Sequence, residues 1–387
     1  MTRPLLLLLA ITAGAAIGGL YYAQPLLDQI GRDLGVGEGA VGALVTSAQV
    51  GYALGIILIV PLGDLLRRRV LIPAMVLLSA LALGACAASP NILTLALSLI
   101  AVGVTTVAGQ MITPLAGDLA DDHARGKTVG IVVSGVITGI LVSRIFSGLV
   151  ASATSWRVVF LVAAVIVIVL AGLLYRAIPN LPPKVTTLSY GGLLKSVFSL
   201  VVKEPVLRVG MLFGSFGFAV FSMLWTPLTF LLSGAPFHYS TAVIGLFGVA
   251  GLIGTFAAQN AGRWHDRGRS VLGTGLSWVL VLVSWAIVWF GGHFLVVLVL
   301  GIIVMDVGIQ AQNIFAQSRI FQISGEARSR LNTAYMAANW IGASLGSVVA
   351  TFAWEVGGWT AVSIVGACFS VVPLLVWAVT RNGVLRT

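Results

Sequence analysis

The chain has 387 residues, of which 58% are hydrophobic and only 9% are charged. A soluble domain carries about 25% Asp, Glu, Lys and Arg, so this composition excludes a soluble enzyme, a disordered chain and a disulfide scaffold. The net charge of +10 does not indicate nucleic-acid binding, because the chain has no soluble surface on which a basic patch could lie.

Twelve apolar segments are long enough to cross a membrane, since about 20 apolar residues cover the hydrocarbon core as a helix. We predict these spans, numbered 1 to 12 in chain order, at residues 5–27, 40–61, 70–88, 91–114, 128–151, 156–175, 208–232, 242–261, 271–290, 294–317, 331–354 and 360–380. The polar stretch 176–207 predicts a linker between two six-helix halves, residues 1–175 and 208–387. The predicted fold class is an all-α integral membrane protein.

Basic residues predict the orientation of the spans. With the N-terminus in the cytoplasm, all but three of the 22 Lys and Arg residues fall on the cytoplasmic side, as the positive-inside rule requires. Arg32 and Arg157 fall outside, and Arg144 lies within span 5. We therefore predict a multi-pass protein of the inner membrane with both termini in the cytoplasm.

The two halves repeat with a nearly constant offset. Asp64 and Asp266 follow spans 2 and 8 and are 202 residues apart, whereas Trp156 and Trp359 precede spans 6 and 12 and are 203 apart. Small residues also recur every four positions in spans 2, 5, 8 and 11, which predicts close helix packing. Because each half contains six helices, both halves keep the same orientation, and the repeat is predicted to be parallel.

Two loops carry a resemblance to a known family. Residues 61–69 after span 2 read Pro-Leu-Gly-Asp-Leu-Leu-Arg-Arg-Arg, and residues 262–269 after span 8 read Gly-Arg-Trp-His-Asp-Arg-Gly-Arg. Both resemble the GxLaDRxGR loop of the major facilitator superfamily, and the resemblance extends over the whole chain. Residues 21–27, 306–317 and 327–332 resemble the drug:proton antiporter and related efflux branch. The resemblance implies a secondary transporter, not an enzyme, that rocks two six-helix halves about a central site.

The loop residues are candidates for a cytoplasmic gate. A carboxylate at a helix end can accept hydrogen bonds from neighbouring helix N-termini or pair with arginine across the interface of the halves. The candidate gate residues are Asp64, Arg68, Arg125, Asp266, Arg267 and Arg328. A solvated loop that only sets the topology is the alternative.

Two charges fall deep within spans. Asp306 lies ~19 Å along its helix from His293, near mid-membrane, and Arg144 lies in the outer half of span 5. A charge at such depth costs at least ~2.5–3.5 kcal/mol, so each should face a wet cavity or a partner. Asp306 is a candidate proton-coupling carboxylate or, alternatively, a member of a structural ion pair or amide network. Arg144 could pair with Asp306, gate the outer half or bind an anionic group of the substrate.

Polar side chains near these charges predict a substrate cavity. Asp306, Gln310 and Asn313 share one helix face, because their spacings are four and three. In the superfamily, helices 1, 4, 7 and 10 line the central cavity, and the resemblance places several of the candidates on those helices. The full set of cavity candidates is Tyr22, Gln24, Gln110, Trp225, Gln310, Asn313 and Asn339. Asn339, on span 11, could instead form an interhelical hydrogen bond.

The preferred function is proton-driven export of a small organic compound or drug. A proton-coupled transporter of a specific metabolite, such as a sugar or amino acid, is the alternative, and a non-transporting receptor with the same fold is a third class. The expected partners are the lipid bilayer, a small-molecule substrate and protons, with no nucleic acid, and the chain is expected to be a monomer. We predict no cofactor and no metal site, with the proton gradient as the energy source.

Overall fold

The structure is a computed structural model that describes residues 2–180, 189–249, 264, 267–324 and 327–385, without the side chains of Asp64 and Asp122. The described residues form helices, turns and bends, with no β-strand among them. The chain divides into two compact units. The first contains Met1–Leu193 and Tyr239–Gly248, and the second contains Leu194–His238 and Val249–Thr387.

The first unit is built from long apolar helices and short connecting turns. Its helices are α1 (Arg3–Gly18), α2 (Leu27–Leu34), α3 (Glu38–Leu58), α4 (Leu62–Leu65), α5 (Arg68–Ala87), α6 (Ile92–Thr106), α7 (Ala108–Leu119), α8 (Arg125–Ala153) and α9 (Trp156–Ala177). Helix α10 (Tyr190–Lys203) contains the boundary between the units. Four further helices follow. Three belong to the second unit: α11 (Pro205–Ser233), α13 (Ser270–Gly291) and α14 (Leu295–Ile323). The short helix α12 (Thr241–Leu246) belongs to the first unit.

The last helix, α15 (Arg328–Thr380), has 53 residues and is interrupted at Gly357 and Gly358. Gly358 takes φ of 58°, in the left-handed region that favours glycine. Predicted spans 11 and 12 lie on the two sides of this interruption. The two glycines separate the helical segment that contains span 11 from the one that contains span 12.

Nine helices of the described residues are long and apolar enough to cross a membrane, counting Ile92–Leu119 and α15 as one each. Each predicted span has a helical counterpart except span 8, of which only the start lies within the described residues. One sequence prediction needs correction. Span 1 does not run as one helix from 5 to 27, because α1 ends at Gly18 and a turn and the 3₁₀ segment Gln24–Leu26 follow. The predicted linker 176–207 contains the helix α10.

The small residues bring helix backbones into contact at matched places in the two units. In the first unit, a Cβ added to Gly139 of α8 would lie 2.3 Å from the carbonyl oxygen of Gly14 on α1. In the second unit, a Cβ added to Gly342 of α15 would lie 2.1 Å from the carbonyl oxygen of Ser215 on α11. Gly139 and Gly342 are 203 residues apart, so the repeat seen in the sequence recurs in the helix packing.

Candidate functional site

Arg144 is buried in the first unit and contacts Tyr21 and Gln24, which follow the end of α1. Its side chain is 4% exposed. Nε and Nη2 both donate to Oε1 of Gln24, at 3.1 and 2.9 Å, and the guanidinium carbon lies 5.0 Å from the ring centroid of Tyr21. The turn after Gly18 and the 3₁₀ segment place Gln24 opposite α8. The predicted cavity residue Gln24 and the buried charge Arg144 therefore form one cluster.

Residues 239–248 of the same unit cover this cluster. A Cβ on Gly245 would lie 2.5 Å from the backbone oxygen of Arg144, and one on Gly248 would lie 3.2 Å from the Arg144 Cδ. Glycine at these two positions lets the segment approach α8 closely enough to bury the arginine side chain.

The other two cavity candidates of the first unit lie in different surroundings. Tyr22 is buried among aromatic rings, with its centroid 5.9 Å from that of Phe146 and 6.5 Å from that of Phe160. Gln110, on α7, donates from Nε2 to the hydroxyl oxygen of Tyr52 at 2.9 Å. Gln110 is half-buried, so its amide remains partly accessible.

Asp306 is a buried carboxyl group of the second unit. It lies in the apolar helix α14 and is 4% exposed. The adjacent Met305 and Ile309, one turn further on, are buried as well. Two residues after Asp306 the helix packs tightly against α13, because a Cβ on Gly308 would lie 2.9 Å from the backbone oxygen of Ser277.

Further polar residues of α14 contact α11 and α15. The Tyr335 hydroxyl donates to Oδ1 of Asn313, whereas Gln310 is half-buried. The Asn339 side chain on α15 is fully buried against Gly214 of α11. A Cβ added to Gly214 would lie 1.9 Å from Oδ1 of Asn339. Trp225 of α11 is buried, with its ring 5.9 Å from that of Phe221.

Sequence reasoning missed two polar residues near Asn313, namely Gln312 and Tyr335. Gln312 is fully buried and donates to the backbone oxygen of Phe213 at 3.1 Å, and Tyr335 bonds to Asn313. Tyr335 precedes Asn339 by four residues, so its place on the same helix face was a signal available in the sequence. Gln312 lies beside Asn313 but faces α11, and no sequence pattern distinguished it.

The candidate gate contains an ion-pair network within the first unit. Arg68 Nη1 lies 2.8 Å from Oδ2 of Asp118, and Arg125 Nη2 lies 3.4 Å from its Oδ1. Arg68 Nε also donates to the backbone oxygen of Gly63 at 3.1 Å. Asp118 was not among the sequence candidates, although it joins two of them.

The remaining gate candidates are less fully described. Arg267 and Arg328 are exposed in the second unit. Asp266 and the side chain of Asp64 lie outside the described residues.

A second ionic cluster lies where predicted outer segments meet. The Trp156 indole nitrogen donates to Oδ2 of Asp33 at 2.9 Å, and the Arg157 guanidinium pairs with the same oxygen. Hydrogen bonds from Arg157 and Trp156 lower the pKa of the Asp33 carboxyl group below its usual value. Arg157 also lies over the Trp156 ring, 4.1 Å from its centroid.

Metal binding finds no support in the described part of the chain, which contains no group of three or more His, Cys, Asp or Glu side chains suited to a metal ion. The long apolar helices and the glycine contacts repeated in the two units are those of a polytopic membrane protein, and each unit carries buried charge, at Arg144 in the first and at Asp306 and Arg319 in the second.

Comparison with known proteins gives the family. The family model of the Major Facilitator Superfamily matches residues 6–320, and the chain belongs to this superfamily. It is 41% identical over 384 residues to the uncharacterized transporter YgaY of Escherichia coli O157:H7, covering 97% of each chain. It is 31% identical to the probable transporter SCO4007 of Streptomyces coelicolor, covering 98% of this chain and 87% of that one.

Among solved structures, the chain resembles a bacterial homologue of the human lysosomal transporter Spinster, in an inward-facing and occupied conformation. The TM-score is 0.80 at 13% identity, over 99% of this chain and 98% of the other. At this identity the likeness establishes the fold alone. The predicted superfamily, the transporter fold and the non-enzymatic class are confirmed.

Proposed function

We propose that the protein is a proton-coupled exporter of a small organic compound and that Asp306 couples proton movement to transport. The observation that carries this proposal is a carboxyl group 4% exposed within an apolar helix of 29 residues. Insertion of a charged side chain at that depth of the membrane costs free energy, so a carboxyl group there favours a functional role.

Coupling requires that protonation of Asp306 depend on which side of the membrane is open. A buried carboxyl group meets this requirement, because the cost of its charge changes when water reaches it. Substrate and proton then compete for, or jointly stabilise, one of two conformations. The polar side chains on the same helix, Gln310 and Asn313, give a substrate hydrogen-bonding groups close to the carboxyl group.

The substrate cavity in this proposal contains the candidates on predicted spans 1, 4, 7 and 10, because the superfamily resemblance implies that these spans line it. Aromatic surfaces at Tyr22 and Trp225 suit a lipophilic compound. Amides at Gln110 and Gln310 supply hydrogen bonds that fix its orientation.

Arg144 favours a second candidate, the transport of a polar or anionic metabolite. Its guanidinium group donates two hydrogen bonds to the side-chain amide oxygen of Gln24. These bonds fix the direction of the guanidinium group, whose geometry matches a carboxylate or phosphate of a substrate.

The loop network fits a cytoplasmic gate. In this proposal Asp118 fixes Arg68 and Arg125 in the first unit, and Asp64, Asp266, Arg267 and Arg328 complete ionic contacts that form and break during transport. We place the protein in the inner membrane, with both termini in the cytoplasm, as a monomer driven by the proton gradient and without a cofactor.

The test uses the full chain in liposomes that contain a pH-sensitive dye. Lipophilic cations, sugars, amino acids and small organic anions are added outside, and the luminal pH is followed. Antiport predicts a rise in luminal pH when the substrate enters, because protons leave in exchange. Symport predicts a fall. The direction of the pH change therefore distinguishes the preferred function from a proton symporter.

Asp306→Asn should reduce substrate-driven proton movement at least tenfold while substrate-for-substrate exchange continues. Glu355→Gln is the matched control, because it makes the same acid-to-amide change at an exposed position of the second unit. Proton movement in Asp306→Asn equal to that of the control would contradict the proposal.

Arg144→Gln distinguishes the substrate classes. Loss of a charge-assisted hydrogen bond is worth about 1.5–3 kcal/mol, so KM for an anionic substrate should rise roughly tenfold or more. An unchanged KM for all anions would contradict a role of Arg144 in substrate binding. If lipophilic cations are transported as well, export of cationic compounds is the function.

A further inference from the structure

A pocket of about 830 Å³ lies in the second unit where α13 begins, α14 ends and α15 ends. We propose that this pocket binds the phosphate-bearing headgroup of an anionic phospholipid. The proposal concerns a site apart from the substrate cavity and holds whatever the substrate or coupling ion is.

Arg319 is the first element of the site. It lines the pocket and is only 7% exposed. Its Nη2 donates to the Thr274 hydroxyl at 2.8 Å, whereas Nη1 is buried and has no hydrogen-bond partner among the residues that the structure describes. A buried guanidinium donor without an acceptor is costly. An anion at this place would complete its hydrogen bonds.

The start of α13 is the second element. Ser270, Val271 and Leu272 line the pocket from the first turn of this 22-residue helix. The N-cap residue, Arg269, provides no side-chain cap, so the first N–H groups receive no acceptor from it. Free N–H groups and the positive end of the helix dipole favour a phosphate oxygen.

Arg381 and Trp377 form the rim. Trp377 is fixed to α13 by a hydrogen bond from its indole nitrogen to the backbone oxygen of Val271, at 2.7 Å. The exposed Arg381 lies over this ring, with its guanidinium carbon 5.4 Å from the centroid. Among the described residues that line the pocket, the charged ones are Arg319 and Arg381, which favours an anionic ligand.

A row of exposed apolar side chains favours a lipid over free phosphate as the source of the anion. Leu272, Leu276, Val279 and Val283 are exposed on α13. Their spacings of four, three and four place them on one helix face. Leu272 also lines the pocket, so the row begins at the proposed headgroup site. An acyl chain could extend from the headgroup along this face, and basic pockets between transmembrane helices are known to hold anionic headgroups.

Native mass spectrometry of the full chain in detergent tests the proposal. The protein is titrated with phosphatidylglycerol and, separately, with phosphatidylcholine of the same acyl chains. The wild-type protein should retain phosphatidylglycerol at a concentration at least tenfold lower than phosphatidylcholine. Arg381→Gln and Arg319→Gln should each raise the phosphatidylglycerol concentration for half occupancy at least tenfold.

Arg176→Gln is the control, because it removes one exposed arginine at the end of α9 in the other unit. Arg319 is buried and its replacement could prevent folding, so the surface variant Arg381→Gln carries the test in that case. Equal retention of the two lipids by the wild-type protein would overturn the proposal, as would unchanged retention in Arg381→Gln. Displacement of phosphatidylglycerol by 10-fold excess inorganic phosphate would assign the site to free phosphate instead.

Discussion

At the scale of single residues, the hydrogen bonds of Arg144 and Asp33 have different consequences. Arg144 is buried and donates to the side-chain amide oxygen of Gln24, which fixes the orientation of its guanidinium group. Asp33 is part of an exposed cluster in which two donors converge on one carboxylate oxygen. The first arrangement orients a buried guanidinium group, whereas the second stabilises the junction of two segments.

The Asp33 cluster makes stability depend on pH. Arg157 and Trp156 lower the pKa of Asp33 in the folded protein, so the cluster stabilises the fold above the unfolded pKa of about 3.9. This contribution is lost as pH falls through the folded pKa. We expect Asp33→Asn to destabilise the protein at pH 7 by no more than about 1 kcal/mol, since the pair is exposed to solvent.

Thermal unfolding in detergent at several pH values checks this prediction. The difference between wild type and Asp33→Asn should shrink as the pH is lowered below about 4. Arg157→Gln and the double variant complete a mutant cycle, and a coupling energy of zero at pH 7 would refute the proposed pair.

At the scale of helices, glycine determines how closely two backbones approach. The contacts of Gly139 with α1 and of Gly342 with α11 are made to backbone atoms, which cannot move aside as a side chain can. Any Cβ at these positions must therefore separate the two helices. This geometry explains the small-residue spacing better than helix propensity, which disfavours glycine within helices.

We expect Gly342→Ala to destabilise the second unit by about 1–3 kcal/mol, the usual cost of overpacking. Gly84→Ala on α5 is the matched control, since nothing lies within 4 Å of a Cβ built there. The control should be neutral or slightly stabilising, because alanine favours the helix. Thermal unfolding of both variants in detergent gives the comparison, and equal stability of the two would refute the interhelical contact.

At the scale of the whole chain, periodicity and composition predict what depends on local sequence. Runs of apolar residues located the helices, and the 203-residue offset anticipated that Gly139 and Gly342 would make equivalent contacts. The early end of α1 at Gly18 was not predicted, because most residues remain apolar as far as Leu27, although Gly19 and Pro25 disfavour a continuous helix.

The candidate sites were predicted less completely than the helices. Gln24 and Arg144 were both selected, but their contact joins residues 120 positions apart and no spacing rule indicated it. Asp118 was missed for a similar reason, because it lies 50 residues from Arg68. A single sequence reveals that a charge is buried, whereas its partner depends on how distant helices pack.

The charge distribution makes a final prediction about the orientation of the chain in the membrane. Arginine and lysine lie almost entirely on one side of the predicted spans, and such loops remain in the cytoplasm. We expect a green fluorescent protein fused to the C-terminus to fluoresce, and alkaline phosphatase at the same place to be inactive. Fusions after His293, in a predicted outer loop, should give the opposite result. Active phosphatase at the C-terminus together with a fluorescent fusion after His293 would mean that the chain is inserted the other way, and the proposed cytoplasmic gate would then face outward.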